Sequence, residues 1–260
     1  MTTTTPDSPI GLVGFDADDT LWRSEDYFAQ AQAEFEHIVG RYVDLADSRA
    51  RERLFAVERG NLTLFGYGVK GMALSMMEAA IDITGERIDA ADMHRILRMA
   101  KDMLEHPVEL LPGVREAVEE IAAAHEVVLI TKGDLFHQEA KVRQSGLAHL
   151  FPRIEIVSEK DPATYARVLE EFDLAPGRFL MIGNSLRSDV APVLALGGWA
   201  VHMPYHLTWE HEREADLGDH GWRMREVAEP AGLPAAVREI AAAAGTVAAR
   251  GVPAGERDAG

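Results

Sequence analysis

Asp16 and Asp18 stand two residues apart in Asp16-Ala-Asp-Asp-Thr20, directly after the apolar run Ile10-Gly-Leu-Val-Gly-Phe15. If the chain stays extended there, both carboxylates point the same way. Carboxylates that close repel, and one takes up a proton unless a cation lies between them. A divalent cation with oxygen ligands, Mg²⁺ in particular, resolves the conflict. One carboxylate is then free to attack while the other handles protons. A structural account competes with this one, because Asp and Thr are also common caps of turns and helices. Asp19 is read in that second way, as a capping or turn residue.

Elements able to position such a pair are visible along the chain. Short apolar runs at Ile10–Phe15, Glu126–Ile130, Ile154–Val157, Arg178–Ile182 and Trp199–His202 have the character of buried parallel strands. Helical patterns over Val114–Ala124, Phe136–Ser145, Thr164–Phe172 and Ser188–Leu196 separate them. Strands alternating with helices imply an α/β protein with a doubly wound, Rossmann-like parallel sheet. The stretch from Glu25 to His106 breaks the alternation, carrying helical periodicity over Tyr27–Tyr42, Ser48–Arg59, Lys70–Thr84 and Ala90–Leu104. The expected organisation is a discontinuous α/β core of residues 1–24 and 107–232 with an α-helical domain of residues 25–106 inserted in it. Residues 233–260 complete it, with an Ala-rich helix over Pro234–Arg250 and a frayed tail over Gly251–Gly260.

Ligands of an open parallel sheet sit beyond the carboxyl ends of its strands. Those ends carry Asp16 and Asp18, then Thr131-Lys132-Gly133, then Lys160, then Asn184 with Asp189. A hydroxyl and backbone N–H groups beside a glycine suit a phosphate cradle. Lys160 supplies positive charge, Asn184 an uncharged oxygen, and Asp189 either a carboxylate near a metal or the first-turn acid of a helix. Each residue alone has a plain structural explanation: an N-cap, a surface lysine, a helix start. Their delivery to one rim by successive strands is what singles them out.

Composition narrows the chemistry further. The 260 residues contain no cysteine and carry a formal net charge of -17. Disulfides and thiolate metal sites are excluded, and a cytoplasmic protein is expected. Met1–Pro9 lacks a basic start followed by an apolar stretch, and no apolar run reaches spanning length, so neither export nor a membrane is expected. So acidic a chain is a poor partner for nucleic acid, and an anionic substrate needs local positive charge of the kind Lys160 provides.

The motifs resemble those of the haloacid dehalogenase superfamily, specifically its capped phosphatases. The family pattern of an apolar strand followed by D-x-D-x-T is matched by Phe15-Asp-Ala-Asp-Asp-Thr20, its strand-terminal Thr or Ser by Thr131, and its Lys by Lys160. The pattern G-D-x-x-x-x-D is matched by Gly183-Asn-Ser-Leu-Arg-Ser-Asp189, with Asn184 in place of the first Asp. The resemblance covers roughly residues 10 to 215, and Glu25–His106 lies where the family inserts its helical cap. It implies hydrolysis of a small phosphorylated metabolite, with Asp16 forming an aspartyl-phosphate and Asp18 as general acid and base. It also implies Mg²⁺ held by Asp16, the Asp18 main-chain carbonyl, Asn184 and Asp189, and phosphate oxygens bound by Thr131, the Lys132–Gly133 segment and Lys160.

Three glycines surround Tyr67 and Lys70 in Asn61–Gly71, and the resemblance makes these two the candidate specificity residues of the cap; a plain helix–helix turn is the alternative. Arg23 is a further candidate phosphate neighbour. His202, His206 and His211 fit no zinc spacing and read as loop histidines. Trp199, Trp209 and Trp222 read as packing residues, and Met72, Met76, Met77, Met93, Met99 and Met103 as the core of the helical insert. A phosphomutase shares the same residues, and a binding protein with a weakened metal site is a third reading. A dehalogenase is disfavoured, because displacing halide from carbon needs neither Asp18 nor Mg²⁺. Oligomeric state leaves no mark on the sequence. Because an amide brings one negative charge fewer than a carboxylate, Asn184→Asp is expected to tighten Mg²⁺ activation; unchanged or weaker metal dependence would argue against Asn184 as a ligand.

Overall fold

The computed structural model describes residues 8–209, 212 and 215–250. Six parallel strands form one sheet in the order β3-β2-β1-β4-β5-β6. They are β1 Leu12–Phe15, β2 Glu126–Lys132, β3 Arg153–Val157, β4 Phe179–Gly183, β5 Trp199–His202 and β6 Met224–Glu226. Strand β1 lies between β2 and β4 with all four residues buried, which explains its unbroken apolar run. The chain order reverses between β1 and β4, and a parallel sheet opens its ligand crevice at that point. Each of the expected strands is present. The sixth, Met-Arg-Glu, pairs only with β5 and carries no apolar run by which the sequence betrays it.

Of the six helices between β1 and β2, the first five are α1 Glu25–Val39, α2 Leu45–Ser48, α3 Ala50–Phe65, α4 Val69–Thr84 and α5 Ala90–Glu105. Arg49, at φ 50°, parts the short α2 from α3, so the helix expected over Ser48–Arg59 starts instead at Ala50 and runs on to Phe65. These helices bury Phe35, Ile38, Leu54, Met76 and Ile96 in a cluster of their own. Met77, Met93, Met99 and Met103 pack against that cluster, as their spacing suggested.

The remaining helices, α6 Val114–Ala124, α7 Leu135–Ser145, α8 Pro162–Glu171, α9 Ala191–Ala195 and α10 Leu233–Arg250, accompany the sheet. One face of the sheet packs through Val13, Phe15, Leu129 and Ile182, together with Val237 and Ile240 of α10. The other packs through Leu12, Val128, Ile130 and Met181. The single helix expected over Ser188–Leu196 is instead a π-helical turn, Leu186–Val190, followed by the short α9. Pro192 has no N–H to return to the Ser188 carbonyl, which interrupts a regular ladder. That carbonyl accepts the Tyr165 hydroxyl at 3.0 Å instead. No helix among the described residues is long and apolar enough to cross a membrane. His211 and Gly251–Gly260 lie outside the described residues.

Asp19 serves as a structural residue. Its backbone turns left-handed at φ 60°, and its buried carboxylate accepts the N–H groups of Ser24 at 2.8 Å and Glu25 at 3.0 Å. It thereby satisfies the start of α1, whose Ser24 makes no side-chain cap. Asp19→Ala leaves both donors unpaired and is expected to cost about 1–3 kcal/mol in denaturant unfolding, while Asp19→Asn, which tolerates φ > 0 and keeps an acceptor oxygen, retains most of the stability.

Candidate active site

The site begins where β1 ends. The Asp16 N–H donates to the Ile182 carbonyl at 2.9 Å, fixing the residue between β1 and β4. The Asp16 carboxylate accepts the Thr20 hydroxyl at 2.9 Å and a hydrogen bond from the Lys160 ammonium. Lys160, only 3% exposed, also donates to Asp189 at 2.7 Å, so one buried cation joins two buried carboxylates. Burial pushes the Asp16 carboxyl up to about 7; the Lys160 charge opposes that rise and the Asp189 charge adds to it. Burial alone would lower the Lys160 ammonium, but the two carboxylates outweigh it and hold the group above the usual lysine range.

Gly183 makes room for this arrangement. A Cβ there would lie 2.2 Å from Oδ2 of Asp189, so the carboxylate occupies the space over the last residue of β4. The Ser185 N–H steadies the same oxygen at 3.0 Å. Oδ1 of Asn184 lies 3.4 Å from the Thr20 hydroxyl. Nε2 of His202 is 3.1 Å from the Asn184 main-chain carbonyl, and its Nδ1 is 3.1 Å from Glu226. His202 is therefore a buried brace at the end of β5 rather than a loop histidine, while His206 pairs with Asp26 at 3.0 Å.

Asp18 is held by a second set of partners. It accepts the indole N–H of Trp22 at 2.6 Å, the amide of Gln138 at 2.9 Å and the Lys141 ammonium at 2.6 and 2.7 Å. Burial acts to raise its carboxyl, but Lys141, helped by Gln138 and Trp22, holds it below the usual carboxylate range. The repulsion expected between Asp16 and Asp18 is thus met by a separate lysine for each. Lys141 and Gln138 escaped the sequence reading. Their signal was positional, since α7 starts at the rim and residues three apart on a helix share a face.

Thr131 is buried at the end of β2 and lines the cavity. The Lys132 ammonium is engaged by Glu212 at 2.5 Å, Ser188 at 2.8 Å and Glu159 at 3.4 Å, and stands 4.2 Å above the Tyr67 ring. Burial works to raise Glu212, but Lys132 outweighs it and the carboxyl is held down at about 2. Glu212 also accepts the Ser185 and Ser188 hydroxyls, tying the β2 and β4 ends together from a loop in which no motif pointed to it. Gly133 does not line the cavity. It leaves clearance instead, at φ 138°, for the Gln138 amide, which would be 2.8 Å from a Cβ.

The helical insert covers these residues and encloses a cavity of about 220 Å³, with Asp16, Asp18, Lys160 and Asp189 lining it from the sheet and Phe28, Glu58 and Met72 from α1, α3 and α4. Tyr67 lines it and donates to Glu159 at 2.6 Å, with its ring edge-on to Trp209. Lys70, the other specificity candidate, is not part of the lining; its ammonium pairs with Asp134 at 2.9 Å. Both side chains therefore fasten the insert to the core, and Tyr67 alone of the two borders the cavity. Arg23 is likewise outside the lining and lies 3.7 Å from Asp26 and 3.8 Å from Glu109. Trp199 is core and packs edge-on against Trp222, which is half exposed.

The side chains that could give oxygen to a metal are Asp16, Asn184 and Asp189, all of which line the cavity, and oxygen donors suit a hard cation such as Mg²⁺. Among the described residues no group of three or more His, Cys, Asp and Glu side chains is placed to hold a metal. The set therefore depends on the neutral amide of Asn184.

The model of the haloacid dehalogenase-like hydrolase family matches residues 10–197. This chain belongs to that family. A haloacid dehalogenase-like family hydrolase from Xanthomonas campestris is 56% identical, with a TM-score of 0.84 over 94% of this chain and 97% of its own. A 2-haloacid dehalogenase from Pseudomonas syringae pv. Tomato DC3000 shares the fold at 21% identity and a TM-score of 0.56, covering 88% of this chain and 99% of its own. A predicted phosphoglycolate phosphatase from Haemophilus somnus does so at 17% and 0.58, covering 87% and 97%. No curated protein matches the chain.

Removing the charge that separates the two buried carboxylates tests the electrostatic account. Lys160→Met is expected to cost about 3–5 kcal/mol, as for breaking a buried ion pair from one side. Added Mg²⁺ is expected to raise the melting temperature of this variant more than that of the wild type, because Asp16 and Asp189 are left without their cation.

Proposed function

We propose that this hydrolase removes phosphate from a small phosphorylated metabolite, with Asp16 as nucleophile and Asp18 as proton donor and acceptor. The observation that carries the reading is the second carboxylate in the cavity, held by Lys141, Gln138 and Trp22 apart from the Asp16 network. Displacement of halide from carbon requires no such group, whereas an alkoxide leaving phosphorus requires a proton.

In the first half-reaction a carboxylate oxygen of Asp16 attacks phosphorus, the bond to the leaving oxygen breaks, and Asp18 protonates that oxygen. Lys141 holds Asp18 ionised; an anionic phosphoryl group entering beside it would act in the opposite direction and raise its affinity for the proton. In the second half-reaction Asp18 takes a proton from water as the water attacks the aspartyl-phosphate, which frees Asp16 and inorganic phosphate. Thr131, Lys160 and the backbone N–H groups around Lys132 and Gly133 bind the equatorial oxygens. Asp16, the Asp18 main-chain carbonyl, Asn184 and Asp189 would hold Mg²⁺, which when bound supplies positive charge that keeps Asp16 ionised and orients the phosphoryl group. Residues 25–106 act as the cap of a core formed by residues 1–24 and 107–232, and close over the leaving group. The acidic, cysteine-free chain supports a cytoplasmic setting with neither nucleic acid nor membrane as partner.

Release of p-nitrophenol from its phosphate ester, with and without Mg²⁺, tests this directly. Wild type is expected to show Mg²⁺-dependent turnover that Asp16→Asn lowers by at least about a thousandfold. Equal rates in the two proteins would leave a non-catalytic binding protein. Turnover of a sugar phosphate only with added bisphosphate would identify a phosphomutase.

A further inference from the structure

Two carboxyl side chains of the helical insert line the cavity and are not used by the chemistry above, Glu25 in the first turn of α1 and Glu58 in the middle of α3. Glu58, on α3, lines the cavity and is half-buried, yet among the described residues it makes no hydrogen bond and no ion pair. Its neighbours along the cavity wall are differently occupied. Asn61, one turn further along α3, gives its amide to Ser75 at 3.2 Å and Glu78 at 2.7 Å. Phe28, Leu62, Met72 and Met76 supply apolar surface. Lys132, Lys141 and Lys160 all lie at the sheet end of the cavity, and among the described lining residues no Lys or Arg comes from the helical insert. Positive charge in the cavity is therefore confined to the end that would take phosphate, where each lysine faces carboxylates, while Glu58 stands among the described residues without a cation at the end that would take the rest of the molecule.

We infer that Glu58 is the specificity residue of this site and selects phosphate esters whose leaving group carries an ammonium, against esters that carry a second anion. The inference rests on the phosphatase reading for the placement of the phosphate. A substrate cation at Glu58 would gain a charge-assisted hydrogen bond with an aromatic face, Phe28, in the same wall. A carboxylate or second phosphate there would meet a like charge with no cation among the described wall residues to offset it. Burial pushes the Glu58 carboxyl up to about 7, and a cation beside it would act in the opposite direction. The small cavity favours a short linker between the ammonium and the phosphate.

Binding and turnover separate this inference from the reading beneath it. In an Asp16→Asn background, which removes turnover, affinities for 2-aminoethyl phosphate, n-propyl phosphate and carboxymethyl phosphate are compared by calorimetry with Mg²⁺ present. The amine is expected to bind at least about tenfold tighter than its neutral isostere, and carboxymethyl phosphate most weakly. Adding Glu58→Gln, which keeps shape and hydrogen bonding, brings the amine-to-propyl ratio to about one, and Glu58→Lys reverses the preference towards the carboxymethyl ester. Because Glu58 has no partner to lose among the described residues, neither replacement is expected to lower the melting temperature by more than a few degrees. Equal affinities for the three esters, or an amine preference that survives Glu58→Gln, would overturn the proposal. An amine preference in a protein whose wild type hydrolyses no phosphate ester would uphold Glu58 and sink the phosphatase reading alone.

Discussion

Two carboxylates and one ammonium, Asp16, Asp189 and Lys160, meet at the reversal point of the sheet, almost fully removed from water. None of the three tolerates that position alone, because desolvating an unpaired charge costs several kcal/mol. Their mutual compensation dictates much of the surrounding structure. Strand β1 must deliver Asp16 beside β4, and Gly183 must lack a side chain so that Asp189 fits above it. The π-helical turn and the Tyr165 hydroxyl on the Ser188 carbonyl hold Asp189 at the right height. A phosphoryl group and a metal ion entering this centre would exchange one set of compensating charges for another, in a site already shaped for both signs.

Around this centre the charges are arranged in parallel sets rather than one pool. Asp18 has Lys141, Glu212 has Lys132, and Asp16 with Asp189 has Lys160. Such pairing lets a chain with a net charge of -17 keep three lysines facing one cavity without losing them to its acidic surface. It also gives Asp16 and Asp18 different proton affinities, the condition for two identical side chains to take different roles.

Sequence and structure agree most closely where the signal was local. The helix over Val114–Ala124 has the bounds that its periodicity predicts. Asp16, Asp18, Thr131, Lys160, Asn184 and Asp189 line one cavity because each follows a strand whose apolar run was legible, and parallel strands expose their carboxyl ends together. Less legible were residues recruited by tertiary contact. Lys141, Gln138 and Glu212 lie in a helix face and a loop, where a charged residue has a solvated surface as its ordinary explanation. Lys70 shows the converse: its glycine-rich loop marks a place of close approach, where it meets Asp134, and sequence does not tell a contact with the core from a contact with a ligand. The π-turn depended on Pro192 acting through a carbonyl four residues earlier, an effect that helical periodicity does not register.

Tyr67 and Lys132 link the two ends of the cavity through a single carboxylate. Glu159 accepts the Tyr67 hydroxyl with one oxygen and faces Lys132 with the other, while the Lys132 ammonium lies over the Tyr67 ring. The clasp that holds the insert down therefore shares its charge with the floor beneath it. An anion that draws Lys132 away from Glu159 alters the grip on Tyr67, and by reciprocity whatever lifts Tyr67 alters the affinity for that anion. The charge on Lys132 and the hold of the insert on the core are in this way two ends of one linkage, each sensitive to what happens at the other.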